Sequence, residues 1–173
     1  ASATPIHIPT SDAVGSVVFG QHFLVATSKD GRKLFAWGSN LDHSLGTAGH
    51  SKSYVARAAA ELIIFEGLRE GASFISVTAH GSSASALTDS GELWSWGGRG
   101  KEFKTPQRIP AQGLPGATYS DARAVSQNSS FLFVVQKDGV IYRRSSGKKG
   151  EWSKWEPSPE CGPAQEVVAG DDL

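Results

Sequence analysis

Three stretches of this chain align without gaps over fifteen residues: Val17 to Gly31, Val77 to Gly91 and Val125 to Gly139. Internal repetition decides architecture before any local preference does. Each stretch closes on a turn, Lys29-Asp30-Gly31, Asp89-Ser90-Gly91 or Lys137-Asp138-Gly139. A short strand follows each turn: Leu34-Phe35-Ala36-Trp37-Gly38, Leu93-Trp94-Ser95-Trp96-Gly97 and Ile141-Tyr142-Arg143-Arg144. A fourth beginning, Val167-Val168-Ala169-Gly170-Asp171-Asp172, stops where the chain stops. Successive starts are 60, 48 and 42 residues apart.

A run rich in Val, Leu, Ala and Thr, then an Asp-Gly or Ser-Gly turn, then a strand with aromatics two residues apart, is the pattern of a β-hairpin. Phe35 with Trp37, and Trp94 with Trp96, fall on one strand face because side chains alternate with period two. Gly38 and Gly97 then permit a bend or a close approach of backbone or ring. A Pro-flanked element, Thr4-Pro5-Ile6-His7-Ile8-Pro9 and again Thr105-Pro106-Gln107-Arg108-Ile109-Pro110, precedes a repeat start and suits an outer edge strand. Four short antiparallel strands per repeat predict an all-β fold, a partial β-propeller of about three four-stranded antiparallel blades. The chain reads as one segment over 1–173, with repeats near 17–76, 77–124 and 125–166 and the start of a further blade at 167–173. Between His50 and Gly71 an insertion lengthens the first interval. Its Tyr54 to Leu62 run has the Ala-rich composition of a short helix, while Glu61 to Phe65 reads as an outer strand; both readings stand.

The stretch Ser76-Val77-Thr78-Ala79-His80-Gly81, continued by Ala86-Leu87-Thr88-Asp89-Ser90-Gly91-Glu92-Leu93-Trp94-Ser95-Trp96-Gly97, resembles the repeat of the regulator of chromosome condensation family. So does Phe35-Ala36-Trp37-Gly38-Ser39-Asn40 with Leu45-Gly46 beyond it. Phe23, Ser83 and Phe131 stand where that repeat has a His, and Arg144-Ser145 stand for its Trp-Gly in the third unit. The resemblance implies a seven-bladed propeller, of which three blades cannot close. The uncovered ends are then expected to meet further blades of the same protein, a second copy or a partner subunit. The resemblance also implies a second function, guanine-nucleotide exchange on a small GTPase.

Composition removes several function classes. Lys+Arg and Asp+Glu are both 17, so bulk positive charge does not attract nucleic acid, which is the disfavoured partner. A lone cysteine, Cys161, excludes an internal disulfide and a thiolate-built zinc cluster. The longest apolar stretch, Leu62 to Phe65, is far shorter than a membrane helix, and no signal-peptide core opens the chain. An intracellular location in cytoplasm, nucleus or mitochondrion is expected, with no membrane partner. The chain holds no Met, so it need not be a whole gene product.

No catalytic residue, cofactor or metal is expected. Asp42-His43-Ser44 resembles a triad in letters only, because neighbouring side chains diverge. His43 and His50 could ligate a metal with Asp42, but two histidines in a loop without a third fixed ligand make no metal site. Gly97-Gly98-Arg99-Gly100-Lys101 lacks the helix and the Ser/Thr of a phosphate loop, and the sequon Asn128-Ser129-Ser130 has no secretory context. Two contact patches are expected instead. Arg143, Arg144, Lys148 and Lys149, with Trp152 and Trp155 beyond, suit an acidic or phosphorylated protein segment. The loop from His43 to His50 is the other. A rival reading takes Trp152, Trp155 and Arg144 as a saccharide site, as in Trp-rich sugar-binding propellers. The main expectation is a non-enzymatic scaffold that binds a protein partner within a larger assembly.

Overall fold

The structure is a computed structural model that describes residues 12–47, 57–98, 103–145 and 150–155; of residues 57–59 only the backbone is placed. Each repeat forms one four-stranded antiparallel sheet. The first blade holds β1 (Val14–Phe19), β2 (Phe23–Ser28), β3 (Leu34–Gly38) and β4 (Arg57–Leu62). The second holds β5 (Phe74–His80), β6 (Ser83–Thr88), β7 (Leu93–Gly97) and β8 (Gln107–Arg108). The third holds β9 (Ala122–Gln127), β10 (Phe131–Gln136), β11 (Ile141–Ser145) and β12 (Ser153–Trp155). In every sheet the strands lie side by side in chain order. Among the described residues there is no α-helix, only two 3-10 turns at Leu41–His43 and Pro115–Ala117. None is long and apolar enough to cross a membrane.

The hairpin turns follow the reading of the repeats. Gly31, Gly91 and Gly139 have φ of 72°, 77° and 86°. Asp30 Oδ1 accepts from the Ser28 hydroxyl at 2.6 Å and the Arg32 amide at 3.0 Å, closing the first turn. These bonds, the Ser28 one foremost, hold its carboxyl below the usual carboxylate range. The described part of the Ala-rich run is not a helix: Arg57–Leu62 is the outer strand β4, with Phe35 opposite Leu62 and Ala36 opposite Glu61. The outer strand thus lies earlier than Glu61 to Phe65. The edge of β3 offers unpaired backbone groups along its length, and pairing with them outweighs a weak helical preference. Thr105 to Pro110 does carry an outer strand, β8, whose Gln107 and Arg108 face Ser95 and Trp94. Its counterpart Thr4 to Pro9 and the fourth beginning at 167–173 lie outside the described residues.

Blades stack face to face. Phe23, Val25, Leu34 and Ala36 from the first meet Ala84, Ala86 and Trp96 from the second, with Phe65 edge-on to Trp94 and Trp96. Leu87 and Leu93 meet Val125, Leu132, Val134 and Trp152 of the third. Polar side chains also bridge the second and third blades. Gln127 accepts from the Ser85 hydroxyl at 2.7 Å and donates to the Ser83 carbonyl at 2.8 Å, and the Val125 amide donates to Ser76 Oγ. Fully paired groups of this kind fix one register between sheets.

The outward faces of the end blades remain uncovered among the described residues. In the first blade Phe19 is 70% exposed and Leu62 43%. In the third, Phe131 and Phe133 alternate with the buried Leu132 and Val134 and so lie on the far face of β10. Trp155 stands edge-on to Phe133 at 5.8 Å. By repeat position Phe131 and Phe133 correspond to Phe23 and Val25, which in the first blade are buried against a neighbour.

Candidate functional site

The expected basic patch divides, because Arg143 and Arg144 are adjacent on β11 and must point to opposite faces. Arg143 is exposed, over the Phe131 ring at 5.2 Å, on the face that carries Trp155. Arg144 is only 3% exposed: its guanidinium lies 5.7 Å from the Trp152 ring and donates to the Pro110 carbonyl at 3.4 Å. Trp152 is buried as well, its Nε1 shared between Tyr119 Oη at 2.9 Å and the Pro110 carbonyl at 3.2 Å. Trp152 and Arg144 therefore present no open ring face to a sugar, and the saccharide site with Trp155 does not assemble: Trp155 stands on the other side of the sheet. Lys148, Lys149 and His50 lie outside the described residues, as does Cys161. Asn128 of the sequon is buried, its Oδ1 accepting from the Ser130 and Phe131 amides, so its side chain serves the β9–β10 turn.

Burial raises the Tyr119 hydroxyl well above its ordinary value of 10.0, against smaller opposing effects of Trp152 and Arg144. The same burial lowers the ordinary basicity of Arg144. In the unfolded chain Tyr119 loses its proton near pH 10, whereas the native chain keeps it. Above that pH the unfolded state binds fewer protons, so stability falls as pH rises. Tyr119→Phe is expected to cost about 1–3 kcal/mol at neutral pH by removing a buried hydrogen bond. It should also flatten the decline between pH 9 and 11, as read from urea midpoints; an equally steep decline in the variant would refute the assignment.

The second expected patch leads to a cavity. Successive hairpins of the three blades, at Gln21–His22, Gly81–Ser82 and Ser129, converge at one end of the stack and enclose about 500 Å³. Phe23, Leu41, Asp42, Ser44, His80, Ser83 and Gly98 complete the lining. The turns are tied together: the Gln21 amide donates to the Gly81 carbonyl at 2.7 Å, and the Gly98 amide to the Ser82 carbonyl at 2.9 Å.

Asp42 enters this cavity from a loop anchored on both sides. Asn40 is buried and its Oδ1 accepts from the Leu45 amide; the Ser44 hydroxyl donates to the Ser39 carbonyl; Leu45 is fully buried. Trp96 Nε1 of the next blade donates to the Ser44 carbonyl at 3.1 Å. Between these anchors Asp42 and His43 both take left-handed backbone, with φ of 52° and 61°. Each such non-glycine residue costs on the order of 1–2 kcal/mol and persists only where its surroundings enforce it. The Ser82 hydroxyl donates to Asp42 Oδ2 at 3.2 Å, joining the loop to the second blade. His43 is half-buried between the lining residues Asp42 and Ser44 and is not itself part of the lining; the lining residues Gln21, His22, Ser82 and Ser129 escape sequence reading, since they come from turns about 60 and 48 residues apart. No group of three or more His, Cys, Asp or Glu positioned for a metal occurs among the described residues.

No protein-family model matches the chain, and no curated protein matches it significantly. Solved structures do. Yeast RCC1 (Prp20), solved with Kap60 bound to it, matches with a TM-score of 0.61 at 18% identity, over 80% of this chain and 36% of its own. Human WBSCR16 matches with a TM-score of 0.64 at 15% identity, over 86% of this chain and 39% of its own. Prp20p from Saccharomyces cerevisiae, described with its binding to Gsp1p and histones, gives 0.62 at 15% identity, over 85% and 39%. The fold is that of RCC1-type propeller repeats, and the chain spans about two fifths of the length of these solved chains.

Proposed function

We propose that the chain is a propeller segment acting as a non-enzymatic platform that engages a protein partner. The observation that carries this reading is the cavity lined by a hairpin turn of each blade and by the Leu41 to Ser44 loop, on a frame of interlocked sheets. A surface held in place before binding loses little freedom when a partner arrives. The lining is a set of hydroxyls, one carboxylate, two imidazoles and an apolar wall, the mixed character of a recognition surface. Arg143 and Trp155 on the far face of the third blade, together with Lys148 and Lys149, form a second proposed contact region. Nucleotide exchange on a small GTPase is the alternative, supported by the shared fold with Prp20p, a protein described with its binding to Gsp1p.

Three purified proteins separate the readings: Gsp1p loaded with a fluorescent nucleotide, a histone dimer and Kap60. Saturable binding to at least one, with nucleotide release from Gsp1p unchanged, is the expected result. Accelerated release would replace the platform by an exchange factor, and no binding to any of the three would count against both.

A further inference from the structure

We propose that the cavity at the turn end of the blades receives the side chain of a lysine or arginine from a basic segment of the partner. This rests on the platform reading and names what the platform recognises. Asp42 is the sole carboxylate of the lining, and no Lys or Arg lines the cavity among the described residues. Phe23 and Leu41 supply an apolar wall against which the methylene stem of a long cationic side chain packs while its head stays polar. Ser82 holds Asp42 Oδ2 at 3.2 Å and leaves Oδ1 to accept from a charged donor.

The placement of this carboxylate is the second support. Two consecutive non-glycine residues at positive φ hold Asp42 between anchors of buried Asn40, Ser44 and Leu45. A carboxylate fixed in this way meets a cation without first being ordered, and it keeps more of its charge–charge attraction than a mobile surface side chain does. Gln21 and Ser129 offer neutral acceptors in the same lining, which also holds His22 and His80. An anionic ligand would find a carboxylate where it needs a cation.

The test is titration of the isotope-labelled chain at neutral pH with hexalysine, hexaarginine and hexaglutamate peptides, followed through backbone amide resonances. Hexalysine or hexaarginine is expected to shift Gln21, Gly81, Ser82 and Gly98, weakening as salt rises, while hexaglutamate leaves them in place. Asp42→Asn, which tolerates the left-handed backbone, should lower the affinity about tenfold; Asp42→Gly should do the same with equal or greater thermal stability, which separates loss of charge from loss of fold. Shifts centred elsewhere, hexaglutamate bound in the cavity, or undiminished binding by both variants would each overturn the inference. A histone dimer or Kap60 that binds wild type and Asp42→Asn equally would remove the cavity from recognition while leaving the platform reading intact. Peptide binding in the cavity without binding of any protein partner would do the reverse.

Discussion

Trp96→Ala is expected to remove most of the stability of the chain. Trp96 is 0% exposed and sits where three elements meet: the loop that carries Asp42, the Phe65 ring at 5.7 Å, and the core of the first two blades. Cutting a buried Trp back to Ala costs about 3–5 kcal/mol in lost burial and cavity formation. The Ser44 carbonyl also loses the indole donor, a further ~1–3 kcal/mol where water cannot replace it. The two losses share a site and do not simply add. Set against the ~5–15 kcal/mol of a typical domain, the result is a chain close to unfolding at room temperature. Trp37 provides the control, since it holds the same repeat position one blade earlier but is only half-buried. Trp37→Ala should cost less than half as much. Equal urea midpoints for the two variants would show that the stacking of the second blade on the first is not what holds Trp96 in place.

Gly97→Ala should rank next. Its φ is 78°, and a methyl group built there would stand 2.3 Å from the Ser82 carbonyl oxygen and 3.1 Å from the Ser83 Cα. Both obstacles are backbone, so relief requires the β6 start and the β7 end to separate. The left-handed conformation alone costs about 1–2 kcal/mol with a Cβ present; the clash brings the expected total to roughly 3 kcal/mol or more. Because Ser82, Ser83 and Gly98 line the cavity, hexalysine binding should fall together with stability. Gly67→Ala isolates the backbone contribution: its φ is 79°, and nothing lies within 4 Å of the added methyl. That variant should lose only about 1 kcal/mol. A Gly97→Ala protein no less stable than Gly67→Ala would refute the steric argument.

The architecture was legible because its cause is local. Asp30-Gly31 and Asp138-Gly139 can be turns in almost any context, and aromatics two residues apart, as in Trp94 and Trp96, announce a strand face wherever they occur. What escaped depends on neighbours distant in sequence. Blade strands begin at Val14, Phe74 and Ala122, three residues ahead of the aligned valines, and register irregularities lie near the starts of β1 and β5. A bulge shifts one side chain out of alternation and so hides the strand start from a period-two reading. The Ala-rich Arg57–Leu62 carries no strand signal of its own and becomes one through the free edge of β3. Arg144 reads as a surface cation until the Trp152 ring and the Pro110 carbonyl, 8 and 34 residues away, are seen to enclose it. The cavity has no single linear signature, since its lining is gathered from a hairpin turn of each blade, the Leu41 to Ser44 loop and Gly98.

Strand order has a consequence for biosynthesis. Every sheet is a run of four neighbouring strands, so the hydrogen bonds of one blade join segments that leave the ribosome in succession. A nascent blade needs no distant segment to pair its backbone, and each finished wedge offers the next a ready apolar surface before the remainder has been translated. Growth of the stack is thereby tied to the direction of synthesis, which shortens the time any half-made sheet spends with a sticky margin open to water.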